Sequence, residues 1–239
     1  MQTKTRAIVI SSLKYGDTSL IVKAFTASDG LKSYLLKGVL ASRKGRFKAA
    51  YFQPLTQLEL VANHRNKGSL EHLREVRISY PYKNLHTHGT KRAICIFLSE
   101  ILSSSIREEE QNQSLYNYLE TAFQWLDTHE QVANFHILFL LRLSKYLGFY
   151  PDYEALHHPY FDLVEGQFSE SQPLSPSLSG KDLDYFRSFL EMDFDGLEGI
   201  RLGQKGRNTL MLSLLQYYVI HLQGFRKPRS LDVLTEVFN

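Results

Sequence analysis

Cysteine is nearly missing from this chain: Cys95 is the single one among 239 residues. One thiol excludes an internal disulfide framework and any thiolate-rich metal site. Long apolar runs are missing too, and none reaches the roughly 18 residues of a membrane-spanning helix. Met1-Gln2-Thr3-Lys4 runs straight into a polar-flanked strand pattern, unlike a signal peptide. A cytosolic protein is the simplest fit. Signatures of chemistry are absent as well. There is no Gly-x-Ser-x-Gly, no Walker loop, no dinucleotide fingerprint and no His-Glu-x-x-His.

What is there begins with charge. The net balance of +3 hides an asymmetry. Residues 1–80 hold 14 Lys or Arg against 5 Asp or Glu, a balance of +9, whereas residues 81–239 hold 14 against 20, a balance of −6. Two halves of opposite sign suggest two surfaces with different partners. The basic excess peaks in Lys37-Gly38-Val39-Leu40-Ala41-Ser42-Arg43-Lys44-Gly45-Arg46-Phe47-Lys48, which has five cations and no acid. Such a segment cannot bury itself without paired acids. It reads as an exposed loop whose natural counter-ion is a polyanion, the alternative being a solvated loop with no partner.

The first 80 residues read as short strands. Ala7-Ile8-Val9-Ile10 is β-branched and precedes Leu13. Leu20, Val22 and Ala24 alternate with Ile21, Lys23 and Phe25, and Ser28-Asp29-Gly30 is a turn leading to a third strand. The basic loop follows, then strands near residues 55–62 and 70–79. Five strands with a long interruption after the third suit a small closed barrel of the OB type, and an open five-stranded sheet gives the same pattern. At Pro81 the period changes from two to about 3.6. Ile94, Phe97, Leu98, Ile101, Leu102 and Ile106 form one helical face. Further helices are expected around Leu115–Leu126, residues 132–147, 183–190 and 210–218, with a last one capped by Ser230. The third, apolar nearly all round at Ile137-Leu138-Phe139-Leu140-Leu141, is expected to be central. The fold expected is α+β: an OB-fold barrel over residues 1–80, then a helical domain over 81–239. Residues 149–180, rich in Ser and Pro, form an irregular insertion.

Candidate chemistry is thin. His86, His88, His157 and His158 lack the converging donors that zinc needs. Asp193, Asp195 and Glu198 are the best carboxylate cluster for metal-dependent nuclease chemistry, although helix ends also collect Asp and Gly. Gly203-Gln204-Lys205-Gly206-Arg207 opens a helix and could hold a phosphate, or be a plain turn. Cys95 sits between Ile94 and Ile96 as a buried thiol. Nothing here builds a catalytic site, so a binding protein rather than an enzyme is expected.

Ala7-Ile8-Val9-Ile10, Lys14-Tyr15-Gly16-Asp17, Phe25-Thr26 with Gly30, and Leu36-Lys37-Gly38 resemble the opening of the RecO family of bacterial recombination and repair proteins. Leu143 to Pro151, then Tyr160-Phe161-Asp162-Leu163 with Glu165-Gly166 and Phe168, resemble its middle signature. His221-Leu222, Ser230-Leu231 and Val233-Leu234 resemble its end. The resemblance implies an OB domain and a helical domain. It implies binding of single- and double-stranded DNA, annealing of complementary strands, and loading of RecA with RecR onto DNA coated by single-strand-binding protein (SSB). RecF is a further candidate partner, and a cytoplasmic, nucleoid-associated location is implied. Many members carry a four-cysteine zinc motif in the insertion. This chain has no cysteine there, and packing of Phe161, Leu163 and Phe168 is expected to take its place. No cofactor is expected. Annealing brings two polyanions together, which a cationic surface can do without catalytic groups. Arg6, Lys14, Lys23, Lys32, Lys37, Arg43, Lys44, Arg46 and Lys48 are the phosphate-binding candidates. Phe47 and Tyr51 are candidates for stacking bases, the alternative for Tyr51-Phe52 being a barrel plug or an interdomain contact. The resemblance also implies capture of the acidic, apolar SSB tail by the helical domain, with Arg142 and Lys145 as rim candidates. Two other readings stand beside this one: an OB module for RNA or another polyanion, and the nuclease.

Overall fold

A computed structural model describes residues 2–41, 47–65, 70–107 and 110–238. The chain forms two compact units, Met1–Asp127 and Thr128–Asn239. The first is built on five strands, β1 (Gln2–Tyr15), β2 (Ser19–Thr26), β3 (Gly30–Leu36), β4 (Gln57–Asn63) and β5 (His72–Tyr80). All ladders are antiparallel, in the order β3-β2-β1-β4-β5. The sheet does not close into a continuous ladder. Its edges β3 and β5 meet at one parallel bridge, Tyr34 with Glu71, where the Glu71 N–H donates to Ser33 O at 2.7 Å and Leu35 N–H to Glu71 O at 3.3 Å. The sheet thus curls round a core of Ala7, Val9, Val22, Ala24, Tyr34, Leu36, Phe52, Leu58, Leu60 and Ala62.

β1 changes faces partway along. Ala7 opposes Thr26 and Val9 opposes Ala24, but the next pair is Ser11 with Lys23, so Ile10 is a bulge residue. An extra residue in one strand inverts which side chains point inward from there on. Before the bulge the odd positions Ala7 and Val9 are in the core. After it Ser12 opposes the core residue Val22, while Leu13 and Tyr15 stand outside at 62% and 56% exposure.

The change from strand to helix falls between Tyr80 and Gly89, yet the compact unit extends to Asp127. The reason is packing of α1 (Gly89–Ser105) and α2 (Gln113–Thr128) on the sheet. The buried Gln57 side chain of β4 donates to Glu120 O at 2.8 Å and accepts from Gln124 at 3.0 Å. Phe25 stacks on Tyr116 with centroids 6.4 Å apart. Asp127, at 1% exposure, accepts the backbone N–H groups of Lys83, Asn84 and Leu85 at 2.7 to 3.0 Å. One carboxylate therefore ties the sheet-to-helix connection to the end of α2. Cys95 is buried and directed at Pro54 O, and burial pushes its thiol up to about 12, so it is not a nucleophile.

The second unit centres on α3 (Phe135–Tyr146), where residues 137–141 are all 1% exposed or less, with α4 (Gly180–Leu190), α5 (Gln204–His221) and α6 (Leu231–Val237). The segment 149–180 is not irregular throughout. It carries a three-stranded antiparallel sheet, β7-β6-β8, from β6 (Tyr160–Asp162), β7 (Gln167–Ser169) and β8 (Ser177–Ser179). Phe161, Leu163, Phe168 and Leu178 form its buried face. Phe161 packs on Phe186 and Tyr217, and the Tyr217 hydroxyl donates to Phe149 O at 2.9 Å. Gly166 turns the chain at φ 69°, and a Cβ there would lie 2.8 Å from the Tyr217 hydroxyl. Asp162 accepts from Ser175 and from the Val164 and Glu165 N–H groups at 2.7 to 3.2 Å. Burial opposes ionisation of this carboxyl, but the three hydrogen bonds outweigh it and hold it below its ordinary range. Among the described residues no helix is long and apolar enough to cross a membrane.

Candidate nucleic-acid interface on the sheet unit

The outer face of β1-β2-β3 follows from the register. Directly opposed residues of antiparallel strands share a face. Ser11, Lys23 and Ser33 form one row, Leu13, Ile21 and Leu35 the next, and Tyr15 with Ser19 the last. Lys14 and Lys37 are exposed at the same end of these strands, and Lys48 is exposed beside the short 3-10 turn Ala49–Phe52. Among the described residues no salt bridge involves Lys14, Lys23, Lys37 or Lys48. Arg43, Lys44 and Arg46 lie outside the described residues.

Two of the other phosphate candidates are committed elsewhere. Arg6 donates to both carboxylate oxygens of Glu120 at 2.6 and 2.8 Å, and its guanidinium lies 5.1 Å from the Tyr116 ring centroid. Its charge is spent on holding α2 to the sheet. Lys32 is 4% exposed, because it shares the inward face of β3 with Tyr34 and Leu36. A buried ammonium is not available to a phosphate. It belongs instead to a polar end of the barrel. There the Tyr34 hydroxyl meets His64 Nε2 at 2.8 Å and His64 Nδ1 meets Asp29 at 2.9 Å, while Glu71 accepts from Arg65 N–H at 2.8 Å. Burial, with the Asp29 and Glu71 charges, pushes the Tyr34 hydroxyl far above its ordinary range, so it stays protonated.

The two stacking candidates are half-buried. Phe47 sits edge-on to the core residue Phe52 at 6.5 Å, and both Phe47 and Tyr51 pack against the barrel core. The exposed aromatic on the basic face is Tyr15, which residue-type counting overlooked. The signal that could have drawn attention to it is its place beside Lys14 in a turn-flanking motif.

On the helical unit, Lys145 is exposed. Arg142 is not a free rim cation: its guanidinium donates to Met192 O, from Nε at 3.1 Å, and pairs with Asp193 at 3.3 Å. Asp193 is thereby an exposed partner of Arg142. Among the described residues no group of three or more His, Cys, Asp or Glu is placed to hold a metal, and that applies to Asp193, Asp195 and Glu198 and to the insertion. A zinc site does not fit this insertion: it has no thiolates, and an aromatic core occupies the sheet interior. In the Gly203–Arg207 turn, Arg207 is 9% exposed and donates to Asn134 and Leu202 O at 3.2 and 3.1 Å. A Cβ on Gly206 would lie 2.8 Å from Leu202. Gly206 and Arg207 are thus packed, whereas Gly203, Gln204 and Lys205 are exposed.

Five antiparallel strands in this order, joined at β3 and β5 by a parallel contact, with Lys23 on the outer face and Lys14 and Lys37 exposed at the strand ends, define an OB-type module, here followed by helices. The chain belongs to the RecO family. Its residues 1–82 match the family description "Recombination protein O N terminal" and residues 86–231 match "Recombination protein O C terminal". It is 52% identical over 238 residues to a protein of Christiangramia forsetii named DNA repair protein RecO, with all of both chains covered. Proteins of the same name from Flavobacterium psychrophilum and Flavobacterium johnsoniae are 49% and 46% identical over 239 residues, again with both chains fully covered.

Proposed function

We propose that this protein is a recombination mediator that binds single- and double-stranded DNA, anneals complementary strands, and with RecR helps to load RecA onto SSB-coated DNA. The role in DNA repair and recombination follows from family membership. The finer activities rest on one observation above all: Lys14, Lys23 and Lys37 stay exposed on a sheet unit whose strands β1 and β2 and their turn hold a single acid, Asp17. Cations on such a face exchange with the counter-ions of a polyanion, and strands held this way approach with less repulsion. No nucleotide and no catalytic group is needed, and the protein acts in the cytoplasm by binding alone. Of the two rim candidates, the exposed Lys145 rather than the paired Arg142 is placed to meet an acidic SSB tail.

The decisive experiment is annealing of complementary oligonucleotides, bare and SSB-coated, followed by fluorescence without nucleotide. Faster annealing on both is expected, with DNA affinity that falls steeply with salt. Replacing Lys14, Lys23 and Lys37 together by Ala should flatten the logarithmic salt slope on single strands by about 2. Absence of acceleration, with salt-insensitive binding, would overturn the proposal.

A further inference from the structure

The Ile10 bulge has a consequence for ligand choice. Had β1 kept its alternation, Leu13 and Tyr15 would follow Ala7 and Val9 into the barrel. The bulge instead turns them onto the outer face, at 62% and 56% exposure. Exposing two large apolar side chains on adjacent same-face positions is unfavourable in water unless something covers them. Bulges are found where a side chain must be re-aimed. The register sets Leu13 against Ile21, and Ile21 against Leu35, so Leu13 heads an apolar row across three strands, and Tyr15 stands in the next row beside Ser19. One row further along, Lys23 stands exposed between Ser11 and Ser33. An aromatic, an apolar row and a cation on one face match the parts of an unpaired nucleotide: a flat base and a phosphate.

We infer that the outer face of β1-β2-β3 is a base-stacking platform for single-stranded nucleic acid, with Tyr15 as the stacking residue, Leu13, Ile21 and Leu35 as its apolar floor and Lys23 as its phosphate contact. The inference rests on the proposed DNA-binding function and goes further. It separates the lysines, which hold any strand, from Tyr15, which holds only strands whose bases are unpaired. A duplex keeps its base faces stacked internally and offers Tyr15 nothing. The occupant is nucleic acid rather than a second copy of this chain, because Lys23 on the face and the exposed Lys14 and Lys37 at its end would repel their own copies.

The test compares wild type, Tyr15→Ala and Tyr15→Phe by fluorescence anisotropy on an oligothymidine, the same strand with abasic sites, and a duplex of equal length. Analytical ultracentrifugation and thermal melting serve as controls. Tyr15→Ala is expected to weaken oligothymidine binding roughly 5- to 100-fold. Its duplex and abasic affinities should stay unchanged, and Tyr15→Phe should behave as wild type. Equal loss on single strand and duplex, or no loss on either, overturns the platform while leaving the DNA-binding function intact. A wild type that binds none of the three overturns that function and the platform with it. A self-associating wild type that Tyr15→Ala converts to monomer assigns the face to a second copy and overturns the inference too.

Discussion

The two sheets of this protein solve the same problem in opposite ways. The five-stranded sheet has strands of 7 to 14 residues and curls round its own core. Toward the Tyr15 end, beyond the part that α2 covers, its outer face on β1-β2-β3 leaves Lys23, Leu13 and Tyr15 exposed. The three-stranded sheet has strands of only 3 residues. It has too little area for a core of its own, so Phe161, Phe168 and Leu178 must lean on Phe186 of α4 and Tyr217 of α5. Strand length therefore decides whether a sheet can spare a face for a ligand. The insertion has no cysteine, and its sheet presents an aromatic cluster on the buried face.

The largest test of this contrast is Phe161→Ala. A fully buried ring leaves a cavity, and about 3 to 5 kcal/mol of stability should be lost. Urea unfolding would measure it, and DNA affinity of the folded protein should not change. A loss below about 1 kcal/mol would mean that the small sheet is held by something other than its aromatics.

The next effect concerns the helical unit through pH. His136 of α3 is 2% exposed and stacked on Phe238 at 5.4 Å. Burial, then the charge of Arg207, pushes its imidazole from 6.5 down to about 3. Between those values the unfolded chain takes up a proton that the folded chain refuses. Stability contributed this way is intact above about pH 6.5 and is lost as pH falls toward about 3, at up to about 1.4 kcal/mol per pH unit. His136→Gln should be less pH-dependent than wild type across that window in thermal melts. Parallel curves would rule the imidazole out as the sensor. Any steepening in the sheet unit's DNA binding over the same range would instead tie the two regions together.

The smallest effect sharpens the division within the basic unit. Arg6→Ala removes a half-exposed pair with Glu120, worth about 1 kcal/mol or less. It should lower stability slightly in urea titrations and leave DNA affinity as it was. The triple lysine change should do the reverse. A drop in DNA affinity for Arg6→Ala would return that residue to the phosphate-binding set.

Much of this was legible beforehand. Period-two alternation in Leu20–Phe25 and period-3.6 spacing from Ile94 to Ile106 specify strand and helix, because both are local consequences of side-chain direction. The turn at Asp29-Gly30 and the buried Phe161, Leu163 and Phe168 were readable for the same reason. Three-residue strands carry too few positions to display a period, so the small sheet was hidden inside a Ser- and Pro-rich stretch. Lys32 could have been caught, since it alternates with Tyr34 and Leu36, but a charged residue type argued for the surface. Arg6 could not: its partner Glu120 lies on another element, and only packing brings them together.

By itself the sequence determined the α+β order of elements, the basic bias of residues 1–80, the missing thiolates and the membership of a family that spans the chain. Tertiary structure alone decided which of the described cations are exposed, that Phe47 and Tyr51 pack against the barrel core, and that Tyr15 faces out. The physical reason lies at Ile10. Alternation along a strand is local, but which half of it points inward depends on the hydrogen-bond register with β2, and one extra residue reverses it.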